Sequence, residues 1–155
     1  MGSDSDWPIL KPAYELLKKF DIEAEVIVAS AHRTPARVKE IVTTAPERGV
    51  CAFISAAGAA AHLGGVIASY TTLPVIGVPV KSSTLDGIDA LLSTVQMPSG
   101  IPVATVAIDG AVNAALLSVQ MLAIEDKEAA DRLAEKRKKD AEKVLAKDAD
   151  ISARF

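Results

Sequence analysis

The chain has 155 residues and a formal net charge of −3; half of its residues are hydrophobic and only 4% are aromatic. This length fits one domain, and an apolar content drawn mostly from Ala, Val, Leu and Ile is typical of helices packed on a buried sheet. No strongly basic patch lies outside the C-terminal region, so we expect no nucleic-acid partner. The polar N-terminus and the lack of a bilayer-length apolar run predict no signal peptide, no membrane partner and a cytoplasmic location.

Short apolar runs alternate with segments of helical spacing along the chain. The helices predicted from this spacing cover residues 8–20, 35–48, 62–70, 85–95, 111–124 and 126–147. The predicted strands cover residues 23–29, 50–55, 74–78 and 101–108. The only cysteine, Cys51, lies in an apolar run and is expected to be a small buried strand residue. Strands separated by helices predict an α/β fold with a doubly wound parallel sheet and helices on both faces.

Three segments refine this picture. The loop 2–6 resembles a strand-to-helix connection without a preceding strand, so either a first strand is missing from the chain or the sheet is one strand short; we expect the former. The helix 111–124 is apolar nearly all round, which indicates burial between subunits. The segment 126–147 is amphipathic, and its charges are expected to form a solvated face. We therefore expect one domain over 1–155, with an α/β core at 1–125 and a helical extension at 126–155.

The carboxyl ends of the strands are where an open α/β sheet binds ligands, so the loops leaving the strands carry the functional interest. In the loop 2–6, free N–H groups before a helix attract phosphate, and a carboxylate such as Asp6 can bind a ribose hydroxyl. Ser and Asp are equally typical of simple helix capping there. The loop 30–35 places His32, which can transfer protons near neutral pH, next to Arg33, whose fork suits phosphate or carboxylate.

A third loop, 55–65, lacks bulky side chains for six residues and permits close approach of a ligand or a neighbouring backbone. His62 opens the helix that follows and could be merely structural. The segment matches neither a P-loop nor the dinucleotide fingerprint. The loops 77–84 and 96–102 are turn-rich and could be structural alone. Two histidines and one cysteine in separate loops show no metal-ligand spacing, so we expect no metal.

Taken together and in this order, the loops resemble those of the class I N5-carboxyaminoimidazole ribonucleotide mutases of bacterial purine synthesis. The resemblance extends from Gly2 to about Glu125 and is specific only in combination. The matching segments are GSDSD (2–6), SAHRTP (30–35), AAHLGG (60–65), PVIGVPVKSSTLDGIDALLSTVQMPSGIPVATVAI (74–108) and NAALL (113–117).

The resemblance implies a three-layer flavodoxin-like fold, a homo-octamer with active sites where subunits meet, and no cofactor. It implies a reaction that moves a carboxylate from an exocyclic nitrogen to a ring carbon of aminoimidazole ribonucleotide. By the same resemblance His32 is the general acid and base, His62 corresponds to a second histidine of the site, and Gly58 lies in the loop that covers the substrate.

The resemblance also implies the residues that bind the ribonucleotide. Ser3 and Asp6 contact the ribonucleotide, Arg33 binds its phosphate and Ser30 lines the site. The chain departs from the family at three places. The strand that usually precedes the GSDSD segment is absent, Gly64 stands where the family usually has proline, and Ala59 replaces the second glycine of a Gly-Gly pair.

Two alternatives remain open at this point. The class II branch of the family carboxylates aminoimidazole ribonucleotide directly with carbon dioxide and tends to carry lysine where this chain has Arg33, so Arg33 favours class I. A non-catalytic nucleotide-binding domain of the flavodoxin-like type is the second alternative, and it would tolerate the loss of His32.

Overall fold

The computed structural model describes residues 1–155, in which helices alternate with three short strands. The helices are α1 (Trp7–Lys19), α2 (Pro35–Thr43), α3 (Leu63–Ala68), α4 (Ile88–Val95), α5 (Ala111–Leu122) and α6 (Lys127–Ser152). The strands are β1 (Phe53–Gly58), β2 (Val75–Val80) and β3 (Ala104–Thr105). Two 3₁₀ turns cover Asp4–Asp6 and Pro46–Arg48. None of the helices is both long and apolar enough to cross a membrane.

The three strands form one parallel sheet in the order β1-β2-β3, which confirms the predicted α/β architecture. The register pairs Phe53 with Val75 and Gly58 with Val80, so β1 and β2 end side by side. All six residues of β2 are buried. Because the strands are parallel, the loops that leave them emerge at a single edge of the sheet.

Both faces of the sheet are covered. On one face, Val75 and half-buried Phe53 pack with buried side chains from α2 and α3, namely Val38, Val42, Leu63, Ile67 and Ala68. On the other face, Ala56, Ile76 and Val78 have at most 1% of their surface exposed. A side chain with so little exposure on each face requires a layer of protein on each side, as the alternating sequence predicts.

Glycine at position 77 permits the close packing of α4 on the sheet. A Cβ atom placed there would stand 2.4 Å from Cγ2 of Thr94 and 2.9 Å from Cγ1 of Val103. Both distances are far shorter than van der Waals contact, so only a residue without a side chain fits between β2, α4 and the segment before β3.

The segment 23–29 was predicted as a strand, and this prediction was wrong, because the structure has no strand there. The N-terminal ammonium of Met1 donates to the carbonyl of Ile27 at 2.9 Å, and the carbonyl of Met1 accepts from the amide of Ala29 at 2.9 Å. The amide of Gly2 donates to the carbonyl of Ala56 in β1 at 3.1 Å. Met1 and Gly2 thus lie between the segment and β1, and the hydrogen bonds of Met1 reach the segment at Ile27 and Ala29.

The prediction that Cys51 is a buried strand residue was also wrong. Cys51 is exposed and precedes β1, which begins at Phe53. The strand lies three residues further along the chain than its sequence pattern indicated. Apolar composition alone could not place the start of the strand, because the register is set by the pairing of Phe53 with Val75.

Several predicted elements have different ends in the structure. The helix expected to reach residue 48 ends at Thr43. A separate 3₁₀ turn begins at Pro46, and it ends at Gly49, whose φ of 75° is left-handed. The helix predicted from residue 85 begins only at Ile88. The strand predicted over 101–108 is reduced to Ala104–Thr105, the two residues in register with Ile76 and Gly77 of β2.

The chain divides into two compact units, residues 1–118 and 119–155. The first holds the sheet, α1–α4 and most of α5. In it, α5 buries Ala111, Ala114, Ala115 and Ser118 while Val112 is 41% exposed, so this helix buries one side and exposes another. The second unit consists mainly of α6, which begins at its cap Asp126 and carries ion pairs four residues apart, such as Lys127–Asp131 and Lys139–Glu135. The predicted boundary at residue 125 and the single-domain organisation stay predictions.

Candidate active site

A cavity of about 340 Å³ lies at the carboxyl edge of the sheet, where the loops after the strands meet. All seven residues predicted for the site line this one cavity: Ser3, Asp6, Ser30, His32, Arg33, Gly58 and His62. Gly58 and the loop to His62 follow β1 at this edge, and the hydrogen bonds of Met1 and Gly2 bring the loops 2–6 and 30–35 beside them.

The first loop forms a capped turn, as its serine and aspartate residues indicate. The amide of Ser5 donates to Oγ of Ser3 at 3.4 Å, and the amide of Ser3 donates to Oδ2 of Asp6 at 3.2 Å. Asp6 is buried, with 7% of its surface exposed. Burial raises the pKa of this carboxyl, although the amides of Ser3 and Gly2, the Met1 ammonium and the Ser5 hydroxyl act against the rise. Capping and cavity lining are therefore combined in the same residues.

The second loop is folded around the side chain of Ser30. Its hydroxyl accepts from the backbone amide of Arg33 at 3.2 Å and from Nε of Arg33 at 3.4 Å. Thr34 fixes the other side of the loop, since its Oγ1 accepts from the amide of Ser30 at 2.9 Å. The guanidinium of Arg33 reaches the carbonyl of Gly2 at 3.5 Å, so it lies against the first loop.

The two histidines of the chain form a hydrogen-bonded pair in the cavity. Nε2 of His32 lies 2.9 Å from Nδ1 of His62, and the two rings are nearly perpendicular, with centroids 5.1 Å apart. One facing nitrogen must carry a proton and the other must accept it, so these two nitrogens share a single proton. Both imidazoles are exposed to the cavity, which leaves His32 accessible to a ligand. Imidazole side chains can both donate and accept protons, so the pair is suited to acid–base chemistry.

The third loop provides a small, close-fitting wall. Gly58 ends β1, and a Cβ atom added to it would stand 3.3 Å from the carbonyl oxygen of Val80. The next residue, Ala59, has a φ of 52°, which belongs to the left-handed region where a side chain is strained. The loop then reaches His62, which precedes the first turn of α3. The lack of bulky side chains lets the chain turn tightly above the cavity.

Sequence reasoning missed part of the lining. Ser5, Lys81 and Ser82 also face this cavity. Lys81 and Ser82 follow β2 directly, so their position after a buried strand was a usable signal, but their turn-rich segment read equally well as a structural loop. No three His, Cys, Asp or Glu side chains lie close enough together to hold a metal ion.

Comparison with known proteins places the chain among enzymes of purine chemistry. The AIR carboxylase family model matches residues 1–143. A Pyrococcus abyssi protein named N5-carboxyaminoimidazole ribonucleotide mutase is 56% identical over 133 residues, which are 86% of this chain and 76% of the relative. A Thermotoga maritima protein of the same name is 52% identical over 147 residues, 95% of this chain and 86% of the relative.

Solved structures give the same result for the fold. The crystal structure of Treponema denticola PurE superposes with a TM-score of 0.85 at 30% sequence identity, covering 96% of this chain and 93% of that chain. This likeness confirms the predicted flavodoxin-like α/β fold with its long C-terminal helix.

The left-handed conformation of Ala59 generates a stability prediction. Ala59→Gly relieves a strain of about 1–2 kcal/mol in the folded state. The greater conformational freedom of glycine in the unfolded state opposes this gain by somewhat less than about 1 kcal/mol, so we expect the free energy of unfolding to rise by up to about 1 kcal/mol. The matched control is Ala60→Gly, at an exposed neighbour without a positive φ, which should lower it by about 0.4–1 kcal/mol. Urea unfolding of both variants at one protein concentration measures the difference. An equal loss in both would contradict strain at Ala59.

Proposed function

Because the chain belongs to the AIR carboxylase family, we propose that it is a class I N5-carboxyaminoimidazole ribonucleotide mutase of purine biosynthesis. The enzyme converts N5-carboxyaminoimidazole ribonucleotide to 4-carboxy-5-aminoimidazole ribonucleotide. The observation that carries the proposal is the hydrogen-bonded pair His32–His62 in the cavity shared by the loops 2–6, 30–35 and 55–65. Similarity to proteins named as the mutase supports the same conclusion.

The first two loops bind the ribonucleotide in this proposal. Arg33 is the phosphate-binding residue, because its guanidinium offers several N–H donors beside the backbone of Gly2. Ser3 and Asp6 contact the ribonucleotide from the first loop, where the Asp6 carboxyl suits a ribose hydroxyl. Ser30 orients Arg33 through the hydrogen bond to its Nε.

The reaction needs one proton carrier and a cavity that keeps carbon dioxide near the ring. Substrate and product are isomers, so the rearrangement consumes no oxidant, reductant or ATP. The N–C bond of the carboxylate breaks, His32 gives a proton to the exocyclic nitrogen, and carbon dioxide is released inside the cavity. The ring carbon then attacks the carbon dioxide, and His32 removes the proton from that carbon, which restores aromaticity and returns the histidine to its starting state.

His62 and the third loop support these steps. Since Nδ1 of His62 lies 2.9 Å from Nε2 of His32, His62 holds the imidazole of His32 in a fixed orientation. Gly58 and its small neighbours cover the substrate and limit the escape of carbon dioxide. The residues of this chain therefore orient the substrate, exclude water and transfer a proton reversibly.

The assembly belongs to the same proposal. We infer a cytoplasmic homo-octamer, in line with the family resemblance. A row of exposed apolar side chains on and before α4, spaced three or four residues apart, supports contact with another copy; it consists of Leu85, Ile88, Leu92 and Val95, each 46–56% exposed. The other large apolar side chains exposed on the helices are Val112 on α5 and Val144, Leu145 and Ile151 on α6.

The choice between the two branches of the family is testable with purified enzyme. We expect rapid conversion of N5-carboxyaminoimidazole ribonucleotide and slow carboxylation of aminoimidazole ribonucleotide supplied with carbon dioxide. Ultraviolet absorbance of the carboxylated product follows both reactions under identical conditions. Faster use of free carbon dioxide would assign the chain to class II, and absence of both reactions would favour a non-catalytic binding domain.

The role of His32 is tested by His32→Asn. We expect turnover to fall by at least about 10²- to 10⁴-fold, because the proton carrier is lost, while the ribonucleotide still binds. Stopped assays give the rate, and titration calorimetry gives the affinity. His62→Asn is the comparison, and it should cost less because it leaves the proton carrier in place. A larger loss in His62→Asn, or an unchanged rate in His32→Asn, would refute this assignment.

The assembly is tested by placing a charge in the apolar row. Leu92→Lys should lower the particle mass measured by light scattering, because an ammonium group would have to be buried at the contact. Val144→Lys, on α6 at a residue that is 65% exposed, is the matched control and should leave the mass unchanged. A monomeric wild-type protein would disprove the octamer, and dissociation in Val144→Lys alone would move the contact to α6.

A further inference from the structure

Lys81 is a charged residue of the cavity that the mechanism above leaves unused. It is the first residue after β2, and it lines the cavity together with Arg33 and both histidines. The cavity lining has one arginine, Arg33, and one lysine, Lys81. The mutase substrate and its product each carry two anionic groups, a phosphate and a carboxylate. The proposed function gives the phosphate to Arg33 and assigns no lysine or arginine to the carboxylate.

The order of the loops places Arg33 and Lys81 on opposite sides of the cavity. The hydrogen bonds of Met1 and Gly2 put the segment 27–29 on one side of β1, and β2 lies on the other side. Four segments therefore lie side by side in the order 27–29, 1–2, β1 and β2. The loops that carry Arg33 and Lys81 leave the outer two of these segments. With neighbouring chains about 4.8 Å apart, three such steps separate their backbones by about 14 Å. Two cations at the ends of a cleft suit a ligand with an anionic group at each end.

The backbone around Lys81 is held firmly. Its amide donates to Oδ1 of Asp109 at 2.9 Å, and the amide of Asp109 donates back to the carbonyl of Pro79 at 2.9 Å. The hydroxyl of Ser82 donates to the carboxylate of Asp89 in α4 at 3.1 and 3.3 Å. The start of the lysine side chain is thus fixed at the edge of the cavity.

The ammonium of Lys81 is paired with a carboxylate that can be replaced. Nζ lies 3.0 Å from Oδ1 of Asp86, and the two side chains are 60% and 81% exposed. Ion pairs this exposed contribute little to stability, so a second carboxylate arriving in the cavity competes on nearly equal terms. We propose that Lys81 binds the carboxylate of the ribonucleotide, and that Asp86 occupies the same ammonium when the cavity is empty.

This inference rests on the proposed function, and it makes opposite predictions for the two partners. Lys81→Gln removes the charge and keeps most of the stem, so it should weaken binding of 4-carboxy-5-aminoimidazole ribonucleotide by about fivefold. Asp86→Asn removes the competitor and should strengthen the same binding by about two- to threefold. Asparagine suits the left-handed backbone of residue 86, where φ is 52°. Lys81→Arg should bind nearly as wild type.

Titration calorimetry with two ribonucleotides tests the assignment. Aminoimidazole ribonucleotide has the phosphate but no carboxylate, so its affinity should change less than twofold in each variant. Lys11→Gln, at an exposed lysine that pairs with Glu15 on α1, is the matched control and should change neither affinity. In the double variant Lys81→Gln/Asp86→Asn, the gain from Asp86→Asn should vanish, because its target is gone.

Three results would overturn the inference. They are unchanged binding in Lys81→Gln, equal weakening for both ribonucleotides, and a gain from Asp86→Asn that persists without Lys81. If wild-type protein binds neither ribonucleotide, the proposed function fails instead, and the two failures are thereby distinguished. If Lys81→Gln does not fold, Asp86→Asn is compared with wild type on the two ribonucleotides. If Asp86→Asn does not bind the carboxylated ribonucleotide more tightly than wild type, the proposal that Asp86 and the substrate carboxylate compete for Lys81 is refuted.

Discussion

Three backbone hydrogen bonds of Met1 and Gly2 determine where the site can form. They connect the segment 27–29 to β1, at Ile27, Ala29 and Ala56. The loop carrying Ser3 and Asp6 continues from Gly2, and the loop carrying His32 and Arg33 continues from Ala29. Without these bonds neither loop would have a fixed place beside the third loop, and His32 would not meet His62. Burial of the Met1 ammonium, which lowers its pKa, is the electrostatic cost of this arrangement.

The alternation of elements was predictable because each β-type run is short and each helical run has a clear apolar spacing. The extent of each element was less predictable, since it depends on pairing that no local pattern reveals. The segment 23–29 has the composition of a strand, but its hydrogen bonds to Met1 are made only by Ile27 and Ala29. Cys51 shares an apolar run with β1, but the sheet begins at Phe53. In both cases tertiary pairing overrides a local pattern.

The candidate site was predictable to a greater degree than the element ends. The loops 2–6, 30–35 and 55–65 were expected to meet at one edge of a parallel sheet, and one cavity does bring Ser3, His32 and Gly58 together. The contact between His32 and His62 was beyond sequence reasoning, because it depends on side-chain directions in two loops thirty residues apart. Lys81 and Ser82 were overlooked for a different reason. Their segment contains turn residues that serve a structural loop just as well.

The complete burial of β2 has a consequence for how this fold can change over time. From Val75 to Val80 each side chain is enclosed, so a substitution there disturbs packing on one face of the sheet or the other. Lys81, which follows this strand directly, has a side chain that extends into solvent. A substitution at residue 81 can therefore change the side chain at the cavity without disturbing the packing of the interior. The end of the buried strand is a natural boundary between the residues that keep the fold and those free to diversify.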